Sequence, residues 1–352
     1  MITAPSAHEH LTFLVKLQRL LTEGEFTATY KFALLMALAD IAVEKGHDDL
    51  RPLAISMQEI AQKFIDYYWQ QSMPYRVSGQ TGRADDPGII SQSFGSTAKI
   101  LKDICVFRQT QNLGSLVRAK QAKAYSGLLS AVAQTVAKQP VTYFQNIAGQ
   151  SDPFVYERSA NGLTLKPGVA SHLRKFHGLI QSMAQDRWVR HIKRNRRNAT
   201  ILGHKDDLHG FLFETSRNTL QLVGKQLSKL FDRRCFYCAR RISGAPDVDH
   251  FIAHALYSRD IAQNFVLAHP SCNRSKSDLL AAREHVSRWL EQITRHDDDV
   301  EQIALDTGVR SDRQTIVAVA QWSYQQGFEA GAHAWLAKGR FEVVSQDHLA
   351  LF

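Results

Sequence analysis

Two tightly spaced pairs of metal-binding side chains constrain this chain more than any other feature. Cys235 and Cys238 are separated by two residues, and His269 and Cys272 repeat that spacing further along. Structural zinc takes four thiolate or imidazole ligands in a tetrahedron, commonly two from each of two such pairs. The spacing therefore predicts one structural Zn²⁺ site made of these four side chains, which would staple together a domain with little core of its own. Buried thiols beside an unrelated histidine are the alternative.

A second set of polar residues lies between and just after these pairs. Residues 247–251 read DVDHF, Asn264 precedes the second pair, and CNRSK covers residues 272–276. With both pairs in order, residues 231–285 resemble the HNH endonucleases of the ββα-metal superfamily, in their zinc-stapled form. The DVDH and CNRSKSD segments are also similar to the HNH domain of RNA-guided CRISPR nucleases.

The resemblance implies a role for each polar residue. His250 is the expected general base, because a neutral imidazole can take a proton near pH 7. Asp249 and Asn273 are the expected ligands of a catalytic ion, Mg²⁺ or another divalent cation. Asn264 is expected to buttress the loop and orient His250, so the implied catalytic set is His250, Asp249, Asn264 and Asn273. DVDH should form the second strand of a hairpin, and CNRSKSDLLAAREHV should begin the helix that crosses it.

Two positions depart from the family pattern, and one neighbour is left open. Ala253 stands where the family often has Pro, which should alter only the loop. His269 opens the second pair where Cys is usual, and imidazole is a legitimate zinc ligand. Neither change removes a catalytic group. His254 can be either a supporting ligand or a simple loop residue.

Positive charge is concentrated in one segment. The chain has a formal charge of +9, but residues 171–241 alone hold 16 Lys and Arg against 5 Asp and Glu, and the rest of the chain holds 27 against 29. A protein that lies along phosphates needs such a segment; a solvated helix face is the alternative. Basic residues three or four apart can share one helical face. The expected DNA contacts are Arg187, Arg190, Lys193, Arg194 and Arg197, together with Arg274 and Lys276.

Helical periodicity dominates the rest of the chain. Residues 29–44 are apolar nearly all round, which predicts a helix at the centre of an N-terminal bundle. Ser56 and Glu59 predict a capping box. Asn161-Gly162 predicts a β-hairpin over residues 153–165.

The remaining segments give coarser predictions. Residues 74–90 are rich in Gly and Pro and predict a loop, whereas residues 167–191 predict one helix. HDDD at 296–299 predicts an acidic loop, and Ser311 with Gln314 predicts a cap for the next helix. The aromatic residues of the C-terminal tail, among them Trp335, predict that it packs on another domain.

The predicted fold class is mainly α. It combines a helical N-terminal bundle, one β-hairpin, a small ββα-metal (HNH) module with a structural zinc and a helical C-terminal tail. The predicted domains are 1–140 (helical, for substrate selection or regulation), 141–230 (hairpin and basic DNA-contacting segment), 231–285 (HNH module) and 286–352 (helical segment packing on the rest).

The sequence therefore favours a metal-dependent HNH endonuclease that hydrolyses DNA phosphodiester bonds. Association alone favours a role in phage defence or restriction. A zinc-stabilised DNA-binding module with a silent nuclease site and an RNA-directed nuclease are the alternatives. Besides DNA, a protein partner or a second copy of the chain is expected at the N-terminal helical domain.

Composition indicates the compartment. No apolar run reaches the ~18 residues of a membrane span, and the N-terminus lacks the pattern of a signal peptide. Three of the four cysteines fall in the metal pattern, which fits a reducing cytoplasm. We therefore expect a cytoplasmic protein with no membrane partner.

Overall fold

The computed structural model describes residues 4–75, 88–202 and 207–352. Contacts divide the chain into two compact units: unit 1 is Met1–Gly114 with Ala119–Phe213, and unit 2 is Ser115–Arg118 with Glu214–Phe352. Most of the loop predicted over 74–90 lies outside the described residues. Within the described ranges, no helix is long and apolar enough to cross a membrane.

Unit 1 consists mainly of helices, joined by a small sheet and a two-residue strand pair. Its elements in chain order are α1 (Ala7–Glu23), α2 (Tyr30–Lys45), β1 (Leu53–Ser56), α3 (Met57–Gln71), α4 (Lys99–Gln111), α5 (Leu116–Gln121, which begins in the short stretch of unit 2), α6 (Tyr125–Lys138), α7 (Pro140–Tyr143), β2 (Asn146–Ile147), β3 (Gln150–Ser151), β4 (Tyr156–Arg158), β5 (Gly162–Leu165), α8 (Val169–Lys175), α9 (His177–Arg194) and α10 (Leu208–Phe213).

Helix α2 lies at the centre of unit 1, as its sequence predicts. Every residue from 30 to 43 is buried, and α3, α8 and α9 pack around the helix. The buried Asp40 carboxylate accepts hydrogen bonds from the Tyr67 hydroxyl at 2.7 Å and from the Gln181 amide at 2.6 Å. These bonds compensate the loss of water, which would otherwise make a buried carboxylate costly.

The predicted hairpin is confirmed, and it gains a third strand. Strands β4 and β5 pair antiparallel with Arg158 opposite Leu163, and β1 pairs with the other edge of β5. Gly162 is required there, because an added Cβ would lie 2.1 Å from the carbonyl oxygen of Ile55. The capping box that begins α3 is also confirmed, with Ser56 accepting from the backbone of Glu59.

The single helix predicted over 167–191 is two helices, α8 and α9, that break at Phe176. The break brings His177 to the start of α9, where its Nε2 lies 2.9 Å from Asp40 Oδ1. Helix α9 ends at Arg194. Arg197 therefore lies in the following 3-10 turn, Arg196–Asn198, and does not share the helical face of its basic neighbours.

Unit 2 contains the two cysteine-containing pairs. Its elements are α11 (Arg217–Leu230), β6 (Asp247–His250), β7 (Phe265–Ala268), α12 (Pro270–Lys276), α13 (Arg283–Arg295), α14 (Asp297–Thr307), α15 (Arg313–Glu329), β8 (His333–Ala337), β9 (Arg340–Val343) and α16 (Gln346–Leu349).

Strands β6 and β7 form the antiparallel pair that carries DVDH, with His250 opposite Phe265. DVDH is therefore the first strand of the pair and not the second, because the knuckle before it contributes only an isolated bridge between Arg234 and Arg241. The following helix is also shorter than predicted. Helix α12 ends at Lys276, since Ser277 adopts a left-handed φ of 50°.

The C-terminal part of unit 2 is helical and then turns back as a hairpin, β8–β9, which the sequence pattern did not reveal. Trp335 in β8 donates its indole N–H to Ser275 at 3.0 Å, so the tail does pack against the module. The acidic run is the first turn of α14, where three carboxylates favourably face the positive end of the helix. Asp312, not Ser311, caps α15 by accepting from the backbone of Thr315.

Candidate active site and metal centre

The four predicted zinc ligands converge. One ligand atom from each of Cys235, Cys238, His269 and Cys272 lies within 4.8 Å of all the others. Cys238 Sγ is 3.3 Å from His269 Nδ1, and the backbone N–H of His269 donates to Cys235 Sγ at 3.4 Å. The side chains of the two pairs therefore surround a common point.

Local backbone geometry creates the first pair. The N–H of Cys235 donates to Arg240, and the N–H of Ala239 donates back to Cys235 at 2.8 Å, which closes a tight turn. Ala239 adopts φ of 59° to close it. Phe236 N–H donates to Leu267 O of β7 at 2.8 Å. The turn is thereby fixed to the strand that leads directly to His269.

The chemistry of the cluster fits a zinc ion. Burial raises the pKa of Cys272 to about 12, and the neighbouring Cys235 and Cys238 sulfurs add to the rise. Three crowded thiols resist ionisation together, whereas a divalent cation at their centre would stabilise the thiolates. Three sulfurs and one imidazole nitrogen form a common donor set of structural zinc. Within the described parts of the chain, no other group of this kind gathers three or more His, Cys or acidic residues.

Beside the cluster is an open cleft of about 210 Å³. It brings together three of the predicted catalytic residues, His250, Asp249 and Asn273. Its other lining residues are Ala253, His254, Arg274, Ser277 and Asp278. His254, which the sequence left undecided, thus lies at the cleft, and its ring centroid is 5.3 Å from that of His250.

His250 ends β6 and is held on two sides. Its Nε2 lies 2.5 Å from Oδ1 of Asp260, and its ring packs edge-on against Phe265 with centroids 5.0 Å apart. Only 19% of the His250 side chain is exposed. Asp260 was not singled out from the sequence. It belongs to the irregular loop between β6 and β7, so no periodic pattern placed it near His250.

Asp249 precedes His250 in β6, and its side chain is buried. Its Oδ2 accepts a hydrogen bond from the Tyr237 hydroxyl at 2.5 Å and lies 3.4 Å from Lys276 Nζ. Burial raises the pKa of Tyr237 well above its ordinary value, and Asp249 reinforces the rise, so Tyr237 remains a donor. These partners fix one carboxylate oxygen. Asp249 Oδ1 has no hydrogen-bond partner among the described residues.

Asn273 is oriented by a residue of β6. Its Nδ2 donates to Asp247 Oδ2 at 3.0 Å, which leaves the amide oxygen without a donor in the described structure. A carboxylate oxygen of Asp249 and an amide oxygen of Asn273 are hard ligands suited to a divalent cation such as Mg²⁺. The two residues expected to hold the catalytic ion thus fit that ion by their chemistry.

Lys276 does not have the predicted role at a DNA phosphate. Its side chain is fully buried, and its Nζ donates to the His250 carbonyl at 3.0 Å besides pairing with Asp249. Burial lowers the pKa of Lys276, and the nearby Asp249 carboxylate opposes that effect. Lys276 therefore ties α12 to β6 from inside. Arg274 is exposed and lines the cleft.

Asn264 does not line the cleft. It is fully buried, and its side chain makes two bonds to one residue: Oδ1 accepts from Ile252 N at 2.8 Å, and Nδ2 donates to Ile252 O at 2.9 Å. Its backbone carbonyl also accepts from Phe251 N at 2.8 Å. These contacts hold the start of the loop that follows His250.

The five DNA contacts predicted from residues 187–197 lie in unit 1, on α9 and the turn after it. Arg190, Lys193, Arg194 and Arg197 are exposed. Arg190 pairs with Asp186 one turn earlier at 2.7 Å, and Arg187 is half-buried and donates to the Leu21 carbonyl at 2.6 Å. Trp188, which the sequence interleaves with the arginines, is fully buried and packs in the core instead of facing solvent.

Two family models match the chain. The HNH endonuclease family matches residues 235–279, the stretch that holds the metal centre and the cleft. Unit 2 therefore carries a nuclease domain of the HNH class, which implies metal binding and a nucleic-acid substrate. A family described as a domain of unknown function, DUF8808, matches residues 10–212. This match covers more than half of the 352 residues, so the chain belongs to the DUF8808 family. No curated protein and no solved structure matched the chain.

Proposed function

We propose that this protein is a metal-dependent endonuclease that hydrolyses phosphodiester bonds of DNA in the cleft of unit 2. The observation that supports this most directly is the convergence of His250, Asp249 and Asn273 on one open cleft. A silent zinc module would have no need to keep a base and two hard oxygen ligands together at its surface.

His250 is the proposed general base. Its ring lines the cleft, and a neutral imidazole accepts a proton well near neutral pH. In the proposed reaction His250 takes a proton from the attacking water, and the water oxygen bonds to the scissile phosphorus as the bond to the leaving oxygen breaks. The products are a 5′-phosphate and a 3′-hydroxyl, as the HNH resemblance implies.

Asp249 and Asn273 are the proposed ligands of the catalytic ion. Their side-chain oxygens that accept no hydrogen bond in the described structure can turn toward a cation. When bound, a divalent ion such as Mg²⁺ stabilises the negative charge that develops on the leaving oxygen. Lys276 and Tyr237 hold Asp249 in place, and Arg274 at the rim is proposed to contact a flanking phosphate.

The zinc ion is proposed to have a structural role. Its four ligands join the knuckle before β6 to the start of α12. A closed set of four protein ligands leaves no position for substrate, which distinguishes structural from catalytic zinc sites. Zinc would thus fix the elements that carry His250 and Asn273.

The exposed basic residues of unit 1 are proposed to bind the DNA backbone. Arg190, Lys193, Arg194 and Arg197 offer charge without any base-reading geometry, so they would contribute affinity without sequence preference. Arg187 is proposed to contribute least, because its guanidinium already donates to a backbone carbonyl.

Incubation of the purified protein with supercoiled plasmid tests the proposal. We expect nicked or linear DNA with Mg²⁺, none with EDTA, and recovery when excess Mg²⁺ is restored. The matched control is His250→Ala purified in parallel, which separates the activity from that of a contaminant. Cutting of single-stranded RNA at a higher rate than DNA would favour the RNA-directed alternative.

We also propose that DNA cutting serves restriction or phage defence, which rests on the association of such HNH proteins with defence. Phage should form fewer plaques on cells that express the parent chain than on cells that express His250→Ala at the same level. Equal plaque numbers would argue against this role while leaving the nuclease activity untouched.

A further inference from the structure

A buried carboxylate lies behind the proposed base. The side chain of Asp260 is only 10% exposed, and its Oδ1 is 2.5 Å from His250 Nε2. The side chain of Thr215 donates a second hydrogen bond to Asp260. Burial acts to raise the pKa of Asp260, but the hydrogen bond and charge of His250, with the bond from Thr215, outweigh it and hold the pKa below its ordinary value. Asp260 is therefore an ionised acceptor.

An ionised carboxylate accepts hydrogen bonds and cannot donate one. A neutral imidazole carries its proton on one nitrogen and its lone pair on the other, and the partner of one nitrogen decides which is which. With Asp260 at Nε2, the proton of His250 belongs on Nε2 and the lone pair on Nδ1. In the described parts of the chain, no group hydrogen-bonds to Nδ1.

We propose that Asp260 is a positioning residue, which holds the His250 ring with Nε2–H directed into the protein and the basic Nδ1 directed to the cleft. This inference rests on the proposed nuclease function. It identifies Asp260 as the group that leaves Nδ1 of His250 able to accept a proton. Asp260 does not touch substrate in this proposal; it acts through the orientation and tautomer of His250.

The loop that carries Asp260 is anchored at its far end. Ile261 forms a bridge with Arg310, and the N–H of Ala262 donates to the Arg310 carbonyl at 2.8 Å. On the other side, Thr215 stands just before α11. Both anchors lie outside residues 235–279, the part that matches the HNH family. Residues outside the matched stretch thus help to hold the loop that carries Asp260.

The tautomer of His250 distinguishes a positioning role of Asp260 from a purely structural one, because a residue that only stabilises the fold would not change that tautomer. We expect nitrogen-15 spectra of histidine-labelled protein, recorded at about pH 8 where free imidazole is neutral, to show His250 with a proton on Nε2. In Asp260→Ala the His250 signals should shift toward a mixture of the two tautomers, or broaden. The His250→Ala protein identifies the signals.

A structural carboxylate of the same unit provides the matched control. Glu342 of β9 accepts a hydrogen bond from the backbone N–H of Arg283 and pairs with His348. Glu342→Ala should therefore lower stability without changing the tautomer of His250. An Nδ1-protonated His250 in the parent protein, or an unchanged tautomer in Asp260→Ala, would overturn the proposal.

Cleavage kinetics on the full chain supply a second test. Asp260→Ala should lower kcat by on the order of 100-fold, the contribution of a well-placed base, and should change KM for DNA by less than about 2-fold. In the His250→Ala background the same substitution should have no further effect, because both act through one group. Asp260→Asn should retain part of the rate, since its amide oxygen can still accept from Nε2–H.

The two proposals fail in distinguishable ways. If His250→Ala cuts as fast as the parent, the nuclease assignment fails, while the tautomer spectra still decide whether Asp260 positions the ring. If His250→Ala is inactive but Asp260→Ala keeps the parent kcat, the base is real and the positioning role of Asp260 is wrong.

Discussion

Asn273 Nδ2 donates a hydrogen bond to Asp247 Oδ2 at 3.0 Å, which joins α12 to the first residue of β6. This hydrogen bond fixes the orientation of the Asn273 side-chain amide. With its nitrogen engaged by Asp247, its oxygen is the atom left for a cation. Asp247 is thus a candidate for tuning the catalytic ion without binding it.

Replacing Asp247 by Ala should weaken the response to the divalent ion, because the Asn273 amide becomes free to rotate. Residues that orient metal ligands typically contribute 10- to 100-fold in metal affinity. We expect the Mg²⁺ concentration for half-maximal DNA cutting to rise by about 10-fold. Asp306→Ala, which removes an exposed carboxylate of α14, is the control. An unchanged Mg²⁺ dependence in Asp247→Ala would contradict the role of this bond.

Removing zinc should unfold the module around the knuckles, since the ligands link elements that share little core. Elemental analysis should find one zinc per chain in the parent and much less in Cys272→Ser. The variant should also unfold at lower urea concentration and become sensitive to protease between residues 235 and 276. Cys105→Ser changes a half-buried thiol of unit 1 and should keep the zinc. Full zinc content in Cys272→Ser would count against the four-ligand site.

Acid should destabilise unit 1 through a buried histidine. Burial lowers the pKa of His191 to about 4, so the folded state binds fewer protons than the unfolded state between about pH 6.5 and 4. The free energy of unfolding therefore falls as pH drops through this window. The phenylalanine of His191→Phe can pack against Phe94 and Phe32. Between about pH 7.5 and 5, the free energy of unfolding of this variant should fall by about 2 kcal/mol less than that of the parent.

Urea unfolding at both pH values measures this effect. His8→Phe is the control, because His8 is exposed on α1. If His191→Phe loses as much stability on acidification as the parent does, another group is responsible.

Salt dependence of binding tests the basic segment. Each Lys or Arg that neutralises a phosphate of duplex DNA contributes a log–log slope of about −0.9. Replacing Arg190, Arg194 and Arg197 by Ala should weaken binding to any sequence and flatten the slope by up to about 2.7. Arg19→Ala is the control, since Arg19 is an exposed arginine of α1 with a similar intrahelical partner, Glu23. A triple variant with the parent slope would show that the segment serves something else.

The site was predictable from the sequence where short spacings fix geometry. Two residues between ligands bring both side chains of a pair to one metal, and the four ligands do converge. The resemblance to HNH nucleases implies that Asp249, His250 and Asn273 lie close together, and all three line one cleft. The capping box at Ser56 and the turn at Asn161-Gly162 are also predictable, because each depends only on residues that are close together in the sequence.

The remainder depends on contacts between distant residues. The sequence shows only that Lys276 stands one helical turn after Asn273. The structure shows that the Lys276 side chain is buried and that its ammonium pairs with Asp249. Asp260 reaches His250 because the intervening loop folds back, and such a loop has no period to read. The β8–β9 hairpin is not predictable from the sequence, because its aromatic residues also suit a helix that packs on a neighbour.

The central claim is that His250 performs chemistry in a cleft that binds DNA. His250→Ala should therefore lose cutting and keep binding, because the base acts on the attacking water and contributes little to holding the backbone. The most direct measurement follows one labelled duplex with both proteins in Mg²⁺, recording the dissociation constant and the single-turnover rate of cleavage. We predict dissociation constants within about 2-fold of each other and a rate at least about 100-fold lower in His250→Ala. Equal cleavage rates in the two proteins would contradict the nuclease assignment.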